Sequence, residues 1–326
     1  MSIFDNEQHL HPDYDRLDKY CDMAYSSHWG PSKYKQGIEK RDVPNIKNKL
    51  PKKDRTCIER CILATLLVED QAKLFWPNIF RDFPQTIISD VGCLFGGMET
   101  THRKSYSHLG IQLGLDLSKV EDKSQIKARI KYLNKYLEED SKIIGHKRKL
   151  KRLVLFTALV ERVSLFTQFY ILMSWCKRNK GLKTMSSLQQ STGLEELLHY
   201  RFGLELINIV KHQKPQVWDD YLVDLVNKNI KMAYKAELNL IDWFFEKGVP
   251  DHLTKEEVVN FLNYNFQVVS DDLELGLKFK YDEKMYEDKN AWMMVKLMST
   301  EPDFFDAPVG GYNLNEQDVD LEEMFG

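Results

Sequence analysis

Two short motifs place a carboxylate and an imidazole three residues apart: Glu99-Thr-Thr-His102 and Glu196-Leu-Leu-His199. On an α-helix, residues at i and i+3 share one face, so each pair can bind one metal ion. Carboxylate oxygens and imidazole nitrogens together suit Fe(II) and Mn(II). A single ExxH pair is common on helix surfaces and usually has no function, so a metal site requires further acidic ligands from the sequence.

Two more glutamates precede the motifs at similar distances along the chain. Glu69 lies 30 residues before Glu99, and Glu161 lies 35 residues before Glu196, which is the length of a helix and a loop. Glu161 interrupts a strongly apolar segment, residues 153–173. An unpaired carboxylate in a dry core is energetically costly, and a bound cation removes that penalty.

The ordered pattern E, ExxH, E, ExxH predicts a dinuclear metal site inside a helical bundle, as in ferritin-like proteins. Asp70 is a rival for Glu69, because it is adjacent but turned about 100° around the helix. Glu69 is preferred, since Leu66 and Ala72 flank it on the more apolar stripe. The predicted ligands are Glu69, Glu99, His102, Glu161, Glu196 and His199.

The elements that must position these side chains are long helices. Apolar residues recur at helical spacing between residues 52 and 275, and almost no segment has the strict alternation of a strand. An all-α bundle is therefore expected, in which Pro215 suits a first helical turn and Thr254 with Glu257 fits a capping box. The predicted helices span residues 54–77, 84–113, 124–145, 149–178, 182–212, 216–247 and 254–275.

The end of the chain differs in kind from the rest. We expect one helical domain at residues 1–300 and a flexible tail at residues 301–326, because the tail contains eight acidic residues and no Lys or Arg. Its last residues, DLEEMFG, place Leu321, Met324 and Phe325 among acids. This pattern predicts a short helical turn that docks in a partner's groove, and the alternative is an end that only aids solubility.

The overall composition excludes several classes of protein. With 326 residues, 43% hydrophobic content and a net charge of -3, the chain can bury a large core and has no field that favours nucleic acid or anionic membranes. Five scattered cysteines form no CxxC pair, which favours reduced thiols in the cytoplasm. No secretion signal is expected at the amino terminus. Glu161 and Arg162 argue against a membrane span within the apolar segment.

The stretch METTHRKSYSHL, residues 98–109, resembles the small subunit of class I ribonucleotide reductases, and the resemblance covers most of the chain from about Tyr14. VEDQAKLFWPNIFRDFP (68–84) and VERVSLFTQF (160–169) are similar to small subunits of the Bacteroidetes and phage type. Many family members have Asp where Glu69 stands, and the Glu is typical of relatives that resemble the dimanganese subclass. Iron and manganese both remain open, since the predicted ligands suit both.

The resemblance also implies a route for an oxidising equivalent. Tyr106, four residues after His102, matches the tyrosine that becomes a stable radical, although the oxidised metal pair is the alternative store. Trp29, in HWGPSKY, resembles the relay tryptophan, and Glu195 stands where the family has its partner Asp. Tyr312 resembles the mobile tyrosine that delivers the oxidising equivalent to the large subunit. The structural alternatives are that Trp29 is an ordinary amphipathic anchor and that Tyr312 is simply one of fifteen tyrosines.

The function that the resemblance implies is the generation and storage of an oxidant by a dimetal site. The oxidant passes to a separate large (alpha) subunit, which reduces ribonucleoside diphosphates. A homodimer is expected in the cytoplasm, or in the host cytoplasm if the protein is viral, with no nucleic-acid or membrane partner. No GxxxxGK phosphate loop occurs, so the substrate is expected to bind in the large subunit.

Three other interpretations share part of this pattern. Another dimetal oxidase, such as a fatty-acid desaturase or a ligand-binding oxidase, would have the six ligands but not the combination of Trp29, Tyr106 and Tyr312. A ferritin-like storage protein is usually shorter and forms shells. A helical adaptor with accidental ExxH pairs would bind no metal tightly.

Overall fold

The computed structural model describes residues 2–5 and 12–298, apart from the side chains at positions 12, 13, 70 and 71. The all-α expectation is confirmed, since none of the described residues lies in a β-strand. The α-helices are α1 Lys19–Ser27, α2 Lys35–Gly37, α3 Val43–Asn48, α4 Lys52–Ala72, α5 Thr86–Leu113, α6 Ser124–Leu133, α7 Gly145–Phe156, α8 Phe166–Lys177, α9 Lys183–Gln213, α10 Asp220–Phe244, α11 Lys255–Asp272, α12 Glu283–Met285 and α13 Ala291–Met298.

Other helical types interrupt or join these helices. The 3₁₀ segments are Pro12–Leu17, Trp76–Arg81, Leu117–Lys119, Asn134–Tyr136 and Pro215–Val217. The π-helical segments are Ile38–Asp42, Thr157–Val163 and Tyr286–Asn290. The second of these joins α7 to α8, and we call it the central π segment.

Four elements form the inner bundle: α4, α5, α9 and the long helix made of α7, the central π segment and α8. In this bundle α4 packs against α5 and α8, while α9 packs against α8 and the central π segment. The long helix is apolar enough to cross a membrane by length and composition, but its most apolar stretch is 100% buried inside the protein. It is therefore the core helix around which the others pack.

The predicted helix 124–145 was wrong at its carboxyl end. The helix α6 ends at Leu133, and a 3₁₀ turn at Asn134–Tyr136 and a loop follow before α7 begins. Within that loop the Asp140 side chain accepts a hydrogen bond from the backbone N–H of Lys142, at 2.9 Å. Such an Asx turn offers the backbone an alternative to a continuing helix, and a helical apolar pattern alone does not reveal it.

Two helix starts were predicted from capping residues, with different outcomes. The Thr254 hydroxyl accepts from the backbone N–H of Glu257 at 3.1 Å, which confirms the predicted cap of α11. Pro215 was expected to begin a long helix, but it begins a 3₁₀ turn instead. The long helix α10 starts five residues later, where the Asp219 carboxylate accepts from the N–H of Leu222.

The short helices α1, α2, α3, α12 and α13 were not predicted. Helices of this length are marginal in isolation and depend on tertiary packing. Tyr20, Cys21 and Ala24 supply that packing for α1, because they are buried where α1 lies against α5 and α9. The local sequence of these short helices therefore gave little indication that they would form.

Candidate metal centre

The inner bundle brings the six predicted ligands to one place. Glu69 comes from the last turns of α4, Glu161 from the central π segment, and each ExxH pair from the middle of α5 or α9. Each of the six side chains is at most 1% exposed. A cluster of four carboxylates and two imidazoles is thus sealed inside the protein.

The cluster divides into two overlapping groups of four possible ligands. One contains Glu69, Glu99, His102 and Glu196, and the other contains Glu99, Glu161, Glu196 and His199. Within each group, one ligand atom from every residue lies within 4.8 Å of the others. Because Glu99 and Glu196 belong to both groups, each could contribute to the binding of both ions.

Both imidazoles turn the same ring nitrogen toward the carboxylates. His102 Nδ1 lies 3.1 Å from Glu196 Oε1 and 3.7 Å from Glu69 Oε2. His199 Nδ1 lies 3.2 Å from Glu99 Oε1 and 3.4 Å from Glu161 Oε2. Each nitrogen could therefore bind an ion in its own group of carboxylates.

Several atoms of the cluster lack a hydrogen-bond partner, although buried polar atoms in folded proteins nearly always have one. They include both oxygens of Glu69 and of Glu99, one oxygen each of Glu161 and Glu196, and Nδ1 of His102. All of these atoms are metal-ligand types. The donor set therefore fits two divalent cations, which would satisfy it.

The pKa values show how the cluster balances its charge without cations. Burial, reinforced by the other carboxylates, raises the pKa of Glu69, Glu99 and Glu161. Burial also favours protonation of Glu196, but the adjacent Glu161, His102 and His199 side chains lower its pKa overall. The group therefore holds protons that cation binding would displace.

The pKa values of both histidines are raised, as expected beside carboxylates. Burial by itself lowers the pKa of His102, but the adjacent Glu195 and Glu196 carboxyl groups raise it well above its usual value. For His199 burial acts in the same way and is outweighed by the adjacent Glu161, Glu196 and Glu99.

A second set of contacts extends from His102 toward the protein surface. His102 Nε2 lies 2.5 Å from Glu195 Oε2, and Trp29 Nε1 donates to the same oxygen at 3.0 Å. Trp29 is 5% exposed, and its ring centroid lies 5.9 Å from that of His102. The structure thus places the predicted pair Trp29 and Glu195 in direct contact with a predicted metal ligand.

Tyr106 is fully buried one helical turn after His102. Its hydroxyl donates to Gln189 Oε1 at 2.9 Å and lies 3.2 Å from Thr192 Oγ1. Burial, together with the Glu69 carboxyl, raises the pKa of Tyr106 well above its usual value. The phenol therefore keeps its proton throughout the physiological range.

Three residues that contact Tyr106 or a predicted ligand were not predicted from the sequence: Gln189, Thr192 and Trp76. Gln189 and Thr192 share the stripe of α9 that carries Glu196 and His199, at steps of three and four residues, and this spacing was an available signal. Trp76 is buried and donates from Nε1 to Glu161 Oε1 at 2.7 Å. No local pattern around Trp76 indicated that hydrogen bond.

Two predicted features lie outside the described part of the chain. Tyr312 and the rest of the acidic tail belong to residues 299–326, and the side chain of Asp70 is not described. The carboxylate of Glu69 is in the cluster.

A family model described as "Ribonucleotide reductase, small chain" matches residues 8–291, a range that includes the whole cluster, Trp29 and Tyr106. The chain belongs to this family. Membership agrees with the resemblance seen in the ExxH segments.

Two curated ribonucleotide reductase proteins are similar in sequence. The subunit beta of ribonucleoside-diphosphate reductase from Chlamydia pneumoniae is 25% identical over 167 residues, which cover 50% of this chain and 45% of that protein. A probable ribonucleoside-diphosphate reductase small subunit of Invertebrate iridescent virus 3 is 23% identical over 263 residues, 76% of this chain and 69% of the viral protein. The first alignment thus spans less than half of its relative.

Solved structures share the fold. The ribonucleotide reductase R2 subunit from Clostridium botulinum superposes with a TM-score of 0.72 at 15% identity, covering 87% of this chain and 89% of that one. Dimanganese(II)-NrdF from Streptococcus sanguinis gives 0.66 at 14% identity, with coverages of 90% and 99%. An R2-like ligand-binding oxidase with a Mn/Fe cofactor gives 0.64 at 14% identity, with coverages of 80% and 94%.

Proposed function

We propose that this protein is the small subunit of a class I ribonucleoside-diphosphate reductase, which generates and stores an oxidant for a large subunit. The observation that carries the proposal is the hydrogen-bonded line from His102 through Glu195 to Trp29. A metal site that acted only on a bound small molecule would not need a hydrogen-bonded connection to Trp29. Family membership supports the same conclusion.

The proposed cofactor is a pair of Fe or Mn ions, with Glu69, Glu99, His102, Glu161, Glu196 and His199 as ligands. When bound and oxidised by dioxygen or a reduced form of it, such ions would supply the oxidising power for removal of one electron from a protein side chain. Glu195 has a positioning role toward the cofactor: its contact with Nε2 of His102 fixes the ring orientation and leaves Nδ1 for the metal. The names of similar structures, with dimanganese and Mn/Fe cofactors, support both metals.

Tyr106 is the proposed store for the oxidant, with the metal pair as the alternative. Because its pKa is raised, its oxidation must be coupled to loss of the phenolic proton. The hydroxyl is oriented by Gln189 and Thr192. The Tyr106 side chain itself is 0% exposed, which keeps bulk water away from an oxidised ring.

The proposed route leaves the site through Trp29. The Trp29 ring contacts Tyr34 edge to face, with centroids 5.2 Å apart, near the protein surface. From there the oxidising equivalent would reach the large subunit by way of Tyr312. The acidic segment 301–326 is the proposed docking element, beyond a helical domain at residues 1–300.

Further parts of the proposal follow from the sequence resemblance. The chain is proposed to belong to the Bacteroidetes and phage-type branch, to form a homodimer, and to act in the cytoplasm on diphosphate substrates held by the large subunit. The related viral protein supports a host-cytoplasm location if this chain is also viral.

A ligand-binding oxidase remains the second candidate, because a protein of that name shares the fold. It would share the six ligands. The two candidates differ in their need for Trp29: an oxidase acting on its own ligand should tolerate loss of the tryptophan, whereas a reductase subunit should not.

The test combines metal analysis with electron paramagnetic resonance of the full chain after exposure to air, with Tyr106→Phe alongside. We expect two metal ions per chain and a tyrosyl signal that disappears in Tyr106→Phe. The matched control is Tyr170→Phe, at a fully buried tyrosine whose hydroxyl donates to the Lys289 carbonyl rather than to the cluster.

The possible results separate the alternatives. A coupled-manganese signal that persists in Tyr106→Phe would place the oxidant on the metal pair. A protein that binds no metal would refute the proposed function.

A further inference from the structure

A buried ion pair lies beside the carboxyl end of the central π segment. Arg129 of α6 and Glu237 of α10 are 0% and 1% exposed, and Arg129 Nη1 lies 3.2 Å from Glu237 Oε1. The hydroxyl of Tyr132 donates to the same carboxylate oxygen at 2.5 Å. A buried pair of this kind is weak evidence for stability, because apolar residues of similar volume often replace it without loss.

The second terminal nitrogen of Arg129 has a specific partner. Arg129 Nη2 donates to the backbone carbonyl of Ser164, the residue that directly follows the central π segment. The helix is interrupted at Ser164 and Leu165 before α8 begins at Phe166. In an uninterrupted helix a backbone N–H would donate a hydrogen bond to this carbonyl, whereas here the Arg129 guanidinium donates it.

Gln168 completes the contact. When its side-chain amide is oriented so that both atoms are satisfied, the nitrogen donates to Ser164 O at 2.7 Å. In the same orientation the oxygen accepts from Arg129 Nη1 at 2.7 Å. The end of the π segment is therefore bound by two side chains from outside its own backbone ladder.

This end of the segment lies close in sequence to a proposed metal ligand. Glu161 precedes Ser164 by three residues within the same segment. A π-helical turn is rare and less favourable than an α-helical turn, so it needs support from its surroundings. If it relaxed to an α-helix, the register would change by one residue and Glu161 would turn by about 100° relative to residues beyond the segment.

We propose that Arg129 and Glu237 are positioning residues for the metal centre: they fix the carboxyl end of the central π segment and so keep Glu161 directed at His199. The proposal rests on the proposed function in that it concerns a metal ligand. Arg129 supplies the hydrogen bond to Ser164, and Glu237 holds the guanidinium in place. The pair acts through the backbone and touches neither ion.

The test replaces both charges together, because removal of one would leave the other buried without compensation. The variant Arg129→Met/Glu237→Leu keeps the volume of the core and loses the hydrogen bond to Ser164. Tyr132→Phe is the matched control, since it removes a hydrogen bond to Glu237 but leaves the contact between Arg129 and Ser164. Arg129→Lys is the conservative variant, which retains a cationic donor.

Two measurements are made on the full chain. Under argon, Mn(II) binding is followed by the resonance of free Mn(II), and the double variant is expected to bind one ion like the parent and the other about tenfold or more weakly. In the metal-free protein, the backbone amides of residues 157–165 are expected to exchange hydrogen faster in the double variant. Tyr132→Phe should match the parent in both, and Arg129→Lys should recover most of the affinity.

The results distinguish this inference from the proposed function. If the parent protein binds no Mn(II), the proposed function is refuted. Hydrogen exchange of residues 157–165 in the metal-free protein would still show whether Arg129 and Glu237 fix the π segment. Unchanged affinity and exchange in the double variant, or equal effects in Tyr132→Phe, would overturn the inference. If the double variant does not fold, Gln168→Leu must weaken the same ion, since it removes the amide contacts to Ser164 and Arg129 but leaves both members of the ion pair in place.

Discussion

Replacement of Glu69 by Gln is expected to separate the two proposed ions. Glu69 belongs to only one of the two groups of ligands, together with His102. In the metal-free protein neither of its oxygens has a hydrogen-bond partner, and burial raises its pKa well above the usual value. Because burial disfavours the charged form of this carboxyl, a neutral amide of the same size should change the free energy of unfolding of the metal-free protein little.

Metal binding to the folded state raises the free energy of unfolding and therefore Tm. At a free concentration 100 times the dissociation constant, each ion adds about 2.7 kcal/mol to the free energy of unfolding. Two ions in the parent therefore add about 5 kcal/mol. At about 2 °C per kcal/mol for a chain of this size, the parent Tm should rise by roughly 10 °C. Glu69→Gln loses one of the two ions, so its Tm should rise by only about 5 °C.

The assay is differential scanning calorimetry with and without Mn(II) under argon. Glu257→Gln is the matched control, because Glu257 is 5% exposed and burial raises its pKa, but its partners are Tyr170 and Arg178 rather than the cluster. This control should retain the full metal-dependent rise in Tm. A full rise in Glu69→Gln, or an equal loss in Glu257→Gln, would refute the assignment of Glu69 to one ion.

Three further outcomes are expected. Trp29→Phe removes a buried bond to Glu195, so Tm should fall as for Trp76→Phe while metal content stays unchanged, and ribonucleotide reduction with the large subunit should fall to background; retained turnover would favour the oxidase alternative. Trp76→Phe loses a charged hydrogen bond to Glu161, worth about 1.5–3 kcal/mol, so calorimetry of metal-loaded protein should show a lower Tm. Burial lowers the pKa of His252 from 6.5 to about 4, so the folded protein should lose stability as the pH falls through that interval. In urea titrations at pH 7 and 4.5, His252→Gln should lose less stability between the two pH values than the parent does. An equal loss in the variant would contradict this prediction.

The sequence alone was sufficient for features that depend on neighbours within a few residues. Helical periodicity gave the all-α class and the approximate bounds of α5, α9 and α11. The three-residue spacing inside each ExxH motif placed both side chains on one helix face, and Thr254 predicted the start of α11. These features are local, because helix geometry and capping act over one or two turns.

Only the tertiary structure decided which distant residues meet. It made Glu99 and Glu196 common to both ligand groups, brought Trp29 to Glu195 across 166 positions, and turned Gln189 toward Tyr106. It also placed the end of the central π segment against Arg129. Such contacts depend on the order and rotation of packed helices, which side-chain volume and buried polar groups set across the whole core, and no local spacing in the chain specifies them.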